Sequence, residues 1–193
     1  MIYYAIILSN IIGLEMIPMK KDTTKTLCVK AMLCALVCVA TIAIQVPVPA
    51  TSGYIHLGDS IILLAGIMFG PMFGLTAGGI GSALADILTS YGYWAPFTLI
   101  IKGLMGYAAG KIAFDGSDKA FGANKFLGAA VAEIIMIAGY LIGGTILKGS
   151  FLVSLTSVPS NAVQAVGGAI LYFVIAYGVK KTGILKVYNN KKA

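Results

Sequence analysis

The sequence predicts an all-α membrane protein in which six transmembrane helices form one compact bundle. Two features of the composition support this class: 59% of the residues are hydrophobic and only 11% are charged, whereas about a quarter of the residues in an average soluble domain are charged. The third observation is length, because 193 residues can hold about six apolar stretches of roughly 20 residues with short connections. We therefore expect one membrane domain and no separate soluble one.

Charged segments and segments rich in Pro and Gly set the expected boundaries. An N-terminal extension at 1–19 precedes a membrane domain at 20–182, and a basic tail follows at 183–193. The extension is interrupted by polar residues and is too short to predict a span; a signal-like segment, an overlong start and a peripheral helix are all open. The six spans are predicted at about 27–46, 58–70, 72–90, 95–112, 126–147 and 158–179.

Every basic residue of the chain is a lysine, and the lysines are distributed unevenly between the two predicted membrane faces. Twelve of the 14 lie near the termini or at 111–125, whereas Lys148 lies in a connection on the other side and Lys102 lies within a span. Because positively charged connections stay in the cytoplasm, both termini are predicted to be cytoplasmic. The net charge of +7 therefore indicates topology and contact with anionic lipid, and no nucleic-acid partner is expected.

A charge-free stretch between Asp59 and Asp86 organises the chain. It is long enough for two short helices back to back across a bilayer with a turn at Gly70–Pro71, so both acids are expected near the same membrane face. Asp59 can act as a helix N-cap at the start of a span, and Asp86 can be neutralised by Lys102 on the next helix. All three charged residues can equally support a binding site, and the sequence leaves these alternatives open.

Polar and aromatic side chains near the predicted external face are the candidates for ligand contact. Asn161 and Gln164, three residues apart, share one face of the last span and offer donors and acceptors to a polar ring. Trp94 and Tyr140 can stack on such a ring or anchor the chain at the membrane interface. Glu133 lies near mid-depth of the fifth span, where it can contact a ligand or hydrogen-bond to a neighbouring helix.

The sequence contains no recognisable catalytic or metal-binding motif. Its single His has no nucleophile or metal ligand at motif spacing, and its glycines do not form a phosphate-binding loop. The three cysteines all lie in the first long apolar stretch and are odd in number, so we expect neither a disulfide nor a metal. Glycines recur every four residues instead, at 66–78, 106–110 and 139–143, a spacing typical of closely packed membrane helices.

Several segments, in order along 20–181, resemble the S component of energy-coupling factor (ECF) vitamin transporters, in particular the riboflavin-type branch. Members of this branch resemble carriers of hydroxymethylpyrimidine or pyridoxine as much as carriers of riboflavin. The matching segments are AMLCA at 31–35, GYIHLGD at 53–59, FGPMFGLTAGGIGSALAD at 69–86, WAPFTLIIKGLMGY at 94–107 and PSNAVQAVGGA at 159–169.

The resemblance implies a function and a set of partners. A protein of this kind captures a water-soluble vitamin or vitamin precursor at the outer face of the bacterial cell membrane, and it has no covalently bound cofactor. It associates with a membrane T component through a face that includes Ala31 and Ala35, and two cytoplasmic ATPases drive uptake, as in ABC importers. The resemblance also implies that the segment from Pro47 through Tyr54 to His56 is a gate, with the ligand among the outer ends of spans four to six.

The favoured hypothesis is therefore a transport subunit that is not itself an enzyme. Hydroxymethylpyrimidine or pyridoxine is the favoured ligand because an uncharged ring suits amides, aromatic groups and one acid, and riboflavin or another vitamin is the alternative. Two other classes of function stay open. One is a stand-alone membrane enzyme that uses His56, Asp59 and Asp86, and the other is a membrane scaffold protein, which needs no polar cavity.

Overall fold

Helices and one β-hairpin make up the part of the chain that a computed structural model describes, residues 21–48, 53–117 and 119–183. The predicted extension at 1–19 and the tail after residue 183 lie outside the described residues. A 3₁₀ turn, Gly92–Trp94, precedes α4. The elements are α1 (Lys21–Ala43), β1 (Gln45–Val48), β2 (Gly53–His56), α2 (Gly58–Phe69), α3 (Pro71–Leu88), α4 (Ala95–Ala113), α5 (Ala123–Lys148), α6 (Phe151–Leu155) and α7 (Val158–Thr182).

The surface of this bundle suits a lipid environment, which confirms the predicted class of a mostly helical membrane protein. Large apolar side chains point outward on several helices; Val39, Ile134 and Val163, for example, are 62–65% exposed. Four segments of the described chain are long and apolar enough to cross a membrane by length and composition, and α2 is a shorter apolar helix. The four segments are Thr24–Ala43, Pro71–Leu88, Ala123–Lys148 and Phe151–Thr182.

The turn between α2 and α3 lies at the predicted Gly70–Pro71 step. Gly70 has a φ of 116°, which disfavours residues with a side chain. Pro71 occupies the first turn of α3, where a missing backbone N–H breaks no helical hydrogen bond. The two helices therefore run back to back, and this returns Asp86 to the end of the bundle at which Asp59 begins α2.

Helices α3 and α4 approach each other until backbone contacts backbone. A Cβ atom at Gly74 would lie 2.1 Å from the carbonyl oxygen of Gly106, and a Cβ atom at Gly106 would lie 2.2 Å from that of Gly74. A Cβ atom at Gly78 would likewise lie 2.3 Å from the carbonyl oxygen of Lys102. The four-residue glycine spacing therefore predicted a real helix contact, and it places α4 at the centre of the bundle between α3 and α5.

The segment after α1, which falls between the first two predicted spans, forms an antiparallel β-hairpin. Gln45 pairs with His56, and Pro47 pairs with Tyr54. Pro47 is exposed and is tolerated because both strands of a two-stranded sheet are edge strands, so its missing N–H need not disrupt the pairing. The hairpin gives the predicted gate a regular structure, and side chains at alternate positions of β2 face the same side.

Candidate ligand-binding site

A cavity opens between the β-hairpin and the adjoining ends of the helices. It holds about 660 Å³ of space not filled by protein atoms, its mouth included. The hairpin, α1, α3, the segment before α4, α4 itself, α5 and the start of α7 all contribute to its wall. The lining residues are Thr41, Val48, Tyr54, His56, Ser82, Asp86, Tyr91, Trp94, Thr98, Tyr140, Gly144, Lys148, Ser157, Ser160, Asn161 and Gln164.

A buried ion pair between Asp59 and Lys102 lies next to this cavity. Both side chains are 0% exposed, and Lys102 Nζ donates to Asp59 Oδ1. The side-chain amide of Gln164 donates to the other carboxylate oxygen, Asp59 Oδ2, over 2.8 Å. A buried ion pair is tolerated when each charge is compensated and hydrogen-bonded. These three side chains therefore fix α2, α4 and α7 relative to one another.

Gln164 also holds the hairpin to the bundle. The backbone N–H of His56 donates to Gln164 Oε1 over 3.1 Å, and His56 Nδ1 accepts from the backbone N–H of Gly58 over 3.0 Å. Burial lowers the pKa of His56 to about 4, so its ring is neutral at physiological pH and Nδ1 can accept this bond. Because Gln164 uses both its carbonyl and its amino group on protein atoms, it positions the hairpin against the core.

A second attachment ties the hairpin to α3 across the cavity. The Tyr54 hydroxyl donates to Asp86 Oδ1 over 2.8 Å. The ring of Tyr54 also packs against Tyr91, with 4.5 Å between ring centroids. The hairpin is thus joined to α7 through Gln164 and to α3 through Asp86, and a movement that opened the cavity on this side would have to break one of these connections.

An aromatic wall made by Trp94 and Tyr140 closes another side of the cavity. Their rings meet edge to face, with centroids 5.6 Å apart and an interplanar angle of 67°. The Tyr140 hydroxyl lies 3.2 Å from Thr98 Oγ1, and Lys102 Nζ lies 5.3 Å from the centroid of the Tyr140 ring. Tyr140 is therefore held between the cavity and the buried ion pair, and the two rings offer a surface on which a planar ligand can pack.

Glu133 lies deeper in the bundle and does not line the cavity. It is 5% exposed, and neither of its carboxyl oxygens has a hydrogen-bond partner in the described part of the protein. A Cβ atom at Gly168 would lie 3.3 Å from Glu133 Oε1 and 3.0 Å from Asp59 Cβ. The glycine therefore leaves room for two acidic side chains on neighbouring helices, one paired with Lys102 and the other unpaired.

We predict that Glu133→Gln leaves the free energy of unfolding within about 0.5 kcal/mol of wild type or raises it. The amide has nearly the same shape as the carboxyl group, and the change breaks no hydrogen bond among the described residues. Unfolding of detergent-purified protein measures the effect. Asp59→Asn is the contrasting variant, because it leaves Lys102 without its counter-charge and is expected to destabilise. Strong destabilisation by Glu133→Gln alone would show that Glu133 has a partner.

The structure brings together most of the residues that the sequence singled out. Trp94, Tyr140, Asn161 and Gln164 line the cavity, and Glu133 does not. Of the predicted gate residues, Tyr54 and His56 line it, whereas Pro47 is exposed on the hairpin. Of the predicted polar support, Asp86 lines the cavity, and Asp59 and Lys102 form the ion pair next to it.

The structure corrects three of the structural roles that the sequence left open for charged residues. Lys102 pairs with Asp59 and not with Asp86, whose partner is Tyr54. Asp59 does not cap α2, because the N-cap position is Leu57 and no side chain caps that helix end. Glu133 is not hydrogen-bonded to a neighbouring helix among the described residues. The rotation of each helix about its axis decides these pairings, and spacing within one helix does not reveal that rotation relative to its neighbours.

Sequence reasoning missed several hydroxyl groups in the cavity. Ser157 and Ser160 precede Asn161 and Gln164 at helical spacing, so a polar stripe at the start of α7 could have identified them. Ser82 lies four residues before Asp86 and shares its helix face. Thr41 had no such signal, because a single hydroxyl in an apolar helix usually bonds to the carbonyl one turn earlier.

The fold and the cavity define a helical, multi-pass membrane protein with an open pocket, lined by polar and aromatic side chains, near one end. Residues 21–181 match the family model for the S component of the ECF-type riboflavin transporter. The chain therefore belongs to this family of ECF transporter S components. It is a transport protein and not an enzyme, so the stand-alone enzyme considered from the sequence is set aside.

Two relatives illustrate how far the similarity extends. The chain is 38% identical over 145 residues to an uncharacterized protein of Pyrococcus woesei, which covers 75% of this chain and 95% of the relative. It is also 29% identical over 168 residues to the thiamine precursor transporter HmpT of Lactococcus lactis. That alignment covers 86% of this chain and 95% of HmpT. Both alignments span nearly the whole relative, and the one with HmpT supports a vitamin-type S component.

Proposed function

We propose that this protein captures a water-soluble vitamin or vitamin precursor at the outer face of the cell membrane for ATP-driven uptake. The observation that carries the proposal is the cavity itself, which combines aromatic rings, hydroxyls, two amides and one acid in a chain of the S-component family. Hydroxymethylpyrimidine or pyridoxine is the favoured ligand. Two arguments support it: the lining suits a small polar ring, and one relative is named a thiamine precursor transporter. Riboflavin is the second candidate, because the family model carries that description.

The proposed topology has six membrane crossings and cytoplasmic termini. α2 and α4 would complete the bundle beside the four segments that qualify by length and composition, since α4 packs against both α3 and α5. The excess of lysine near the termini and at 111–125 supports this orientation. On this topology the hairpin and the cavity face the outside, where a nutrient arrives.

A fluorescence titration tests the proposed ligand. Trp94 is the only tryptophan of the chain and lines the cavity, so its emission should change when a ligand binds. We expect saturable binding in the nanomolar range for hydroxymethylpyrimidine or pyridoxine. Riboflavin is followed through quenching of its own fluorescence, and calorimetry of the wild-type protein serves as the independent control for the signal. Failure of all three compounds to bind would contradict the proposal.

We propose that α1 contacts the membrane T component of an ECF transporter, which in turn works with two cytoplasmic ATPases. Ala31 and Ala35 are both exposed on one side of α1, four residues apart and therefore on the same face. Small residues permit close approach of a second helix in a membrane. Leu36 and Val39 are also exposed, at 46% and 62%, and they add apolar contact area to α1.

We predict that the double variant Ala31→Leu, Ala35→Leu abolishes uptake in cells but leaves ligand affinity within about twofold. The larger side chains would prevent close helix approach, whereas both positions lie outside the cavity lining. Ala130→Leu with Ala138→Leu is the matched control, because both alanines are exposed on α5. Uptake that persists in the α1 variant would rule out this interface. Loss of uptake in both variants would show that larger side chains on any exposed helix face impair the protein, and would also contradict a specific role of α1.

A further inference from the structure

Four buried polar atoms without a hydrogen bond to any described residue belong to residues that line the cavity. Thr41 Oγ1, Ser82 Oγ, Asp86 Oδ2 and Trp94 Nε1 all belong to lining residues, and none has a hydrogen-bond partner in the part of the chain that the structure describes. Thr41 and Ser82 are each 1% exposed, and Asp86 is 4% exposed. Buried polar groups in folded proteins are nearly always hydrogen-bonded. A set of such groups around a cavity therefore indicates which hydrogen-bonding groups a ligand would supply.

These atoms have a defined donor and acceptor chemistry. The indole N–H of Trp94 can only donate. The Asp86 carboxylate lies near the Thr98 hydroxyl, but its second oxygen accepts no hydrogen bond of standard geometry from the described residues, so it can accept one from a ligand, and the two hydroxyls can do either. Asp86 Oδ1 is already occupied by the Tyr54 hydroxyl. A ligand that satisfies the set must present a hydrogen-bond donor to Asp86 and an acceptor to Trp94.

The unsatisfied atoms lie mainly on α1 and α3. Ser82 and Asp86 are four residues apart on α3 and so share one face. α1 packs directly against that part of α3, since a Cβ atom at Gly81 would lie 2.6 Å from the carbonyl oxygen of Cys34. Gln164, by contrast, uses its amide on His56 and Asp59. The buried unsatisfied groups of the lining are therefore on α1, α3 and Trp94, and not on Gln164 of α7.

We propose that Thr41, Ser82 and Asp86 form the specificity-determining wall of the cavity, together with Trp94. This wall selects a heteroaromatic ring that carries an N–H or O–H donor beside a ring nitrogen or carbonyl acceptor, as aminopyrimidines and flavins do. The inference deepens the proposed transport function and rests on it. Two of its residues, Thr41 and Ser82, were not among the candidates from the sequence.

A double-mutant cycle between ligand and protein tests the wall. The first probe pair is 4-amino-5-hydroxymethyl-2-methylpyrimidine and the same ring without the 4-amino group. If wild type binds riboflavin more tightly, the pair is riboflavin and 3-methylriboflavin, in which the ring N–H is blocked. The protein variant is Asp86→Asn, which can still accept from Tyr54 through its carbonyl oxygen but has lost its charge and its second acceptor.

We expect wild type to prefer the ligand with the donor by at least tenfold, since a hydrogen bond to a charged group is worth about 1.5–3 kcal/mol. Asp86→Asn should reduce that preference to less than about threefold. Thr41→Val and Ser82→Ala should each weaken binding of the donor ligand about three- to tenfold. Thr145→Val is the control, because Thr145 donates to Leu141 O on α5 and does not line the cavity. This variant should bind the donor ligand with the same affinity as wild type.

The outcomes separate this inference from the function on which it rests. If wild type binds a probe tightly and the Thr41, Ser82 and Asp86 variants bind it equally well, the wall is wrong and water satisfies these atoms, while the transport function stands. If wild type binds no probe of either pair, both the wall and the proposed ligand class are overturned. Size-exclusion profiles and unfolding curves of each variant identify losses of affinity that are caused by misfolding.

Discussion

Replacing Lys102 by methionine is expected to destabilise the folded protein by about 3–5 kcal/mol, the typical cost of leaving a buried charge without its partner. Lys102 and Asp59 are both 0% exposed, and the only other donor to the Asp59 side chain among the described residues is the amide of Gln164. Because methionine fills a volume similar to that of lysine, the loss of stability reports the removal of the charge and not a change in packing. Thermal or denaturant unfolding of the purified protein in mild detergent measures the effect.

Two variants serve as controls for Lys102→Met. Lys111→Met removes an exposed lysine from the last turn of the same helix and should change the free energy of unfolding by less than about 0.5 kcal/mol. Asp59→Asn combined with Lys102→Met removes both charges and should recover part of the lost stability, because no isolated charge remains. A Lys102→Met protein as stable as wild type would show that the ion pair is not what holds α2 to α4.

Introducing a single methyl group at Gly74 is expected to have an effect of similar size. The Cβ atom of Gly74→Ala would lie 2.1 Å from the Gly106 carbonyl oxygen and 2.8 Å from Gly66 Cα. Both neighbours are backbone atoms that cannot rotate away, so α3 and α4 must separate, and the packing along the rest of their contact is lost. We expect destabilisation by about 3 kcal/mol, at the upper end for overpacked cores, and a reduced yield of monodisperse protein.

Gly167→Ala is the matched control for the glycine contact. Gly167 is exposed on α7, and a Cβ atom there would have no neighbour within 4 Å. Because alanine favours a helix over glycine by roughly 0.5–1 kcal/mol, this variant should be as stable as wild type or slightly more stable. If Gly74→Ala matched it in yield and unfolding, the close approach of α3 and α4 would be wrong.

The sequence predicted those features that depend on local spacing. Glycines at intervals of four residues identified the faces of α3 and α4 that meet, because the period of the helix puts such residues on one side. Gly70 followed by Pro71 identified the turn, since one permits an unusual φ and the other starts a helix. The absence of charge between Asp59 and Asp86 then implied that both acids return to one end.

The sequence could not predict contacts that depend on how neighbouring helices are rotated. Asp86 and Lys102 lie on consecutive helices and were plausible partners, but the rotation of α4 directs Lys102 toward Asp59 on α2. The engagement of Gln164 by the hairpin had no sequence signal, because it links residues 108 positions apart. Thr41 likewise became a candidate only when the structure placed its hydroxyl in the cavity wall with no hydrogen bond to any described residue.

Native mass spectrometry of the protein purified in mild detergent tests the central claim most directly. We expect a population with one small molecule bound per chain, released at higher collision energy with the mass of hydroxymethylpyrimidine, pyridoxine or riboflavin. After dialysis, adding the identified compound should restore the bound peak at a one-to-one ratio, and Trp94 fluorescence should report the same event. A chain that remains unliganded with every one of these compounds at saturating concentration would contradict the account of this cavity as a vitamin-binding site.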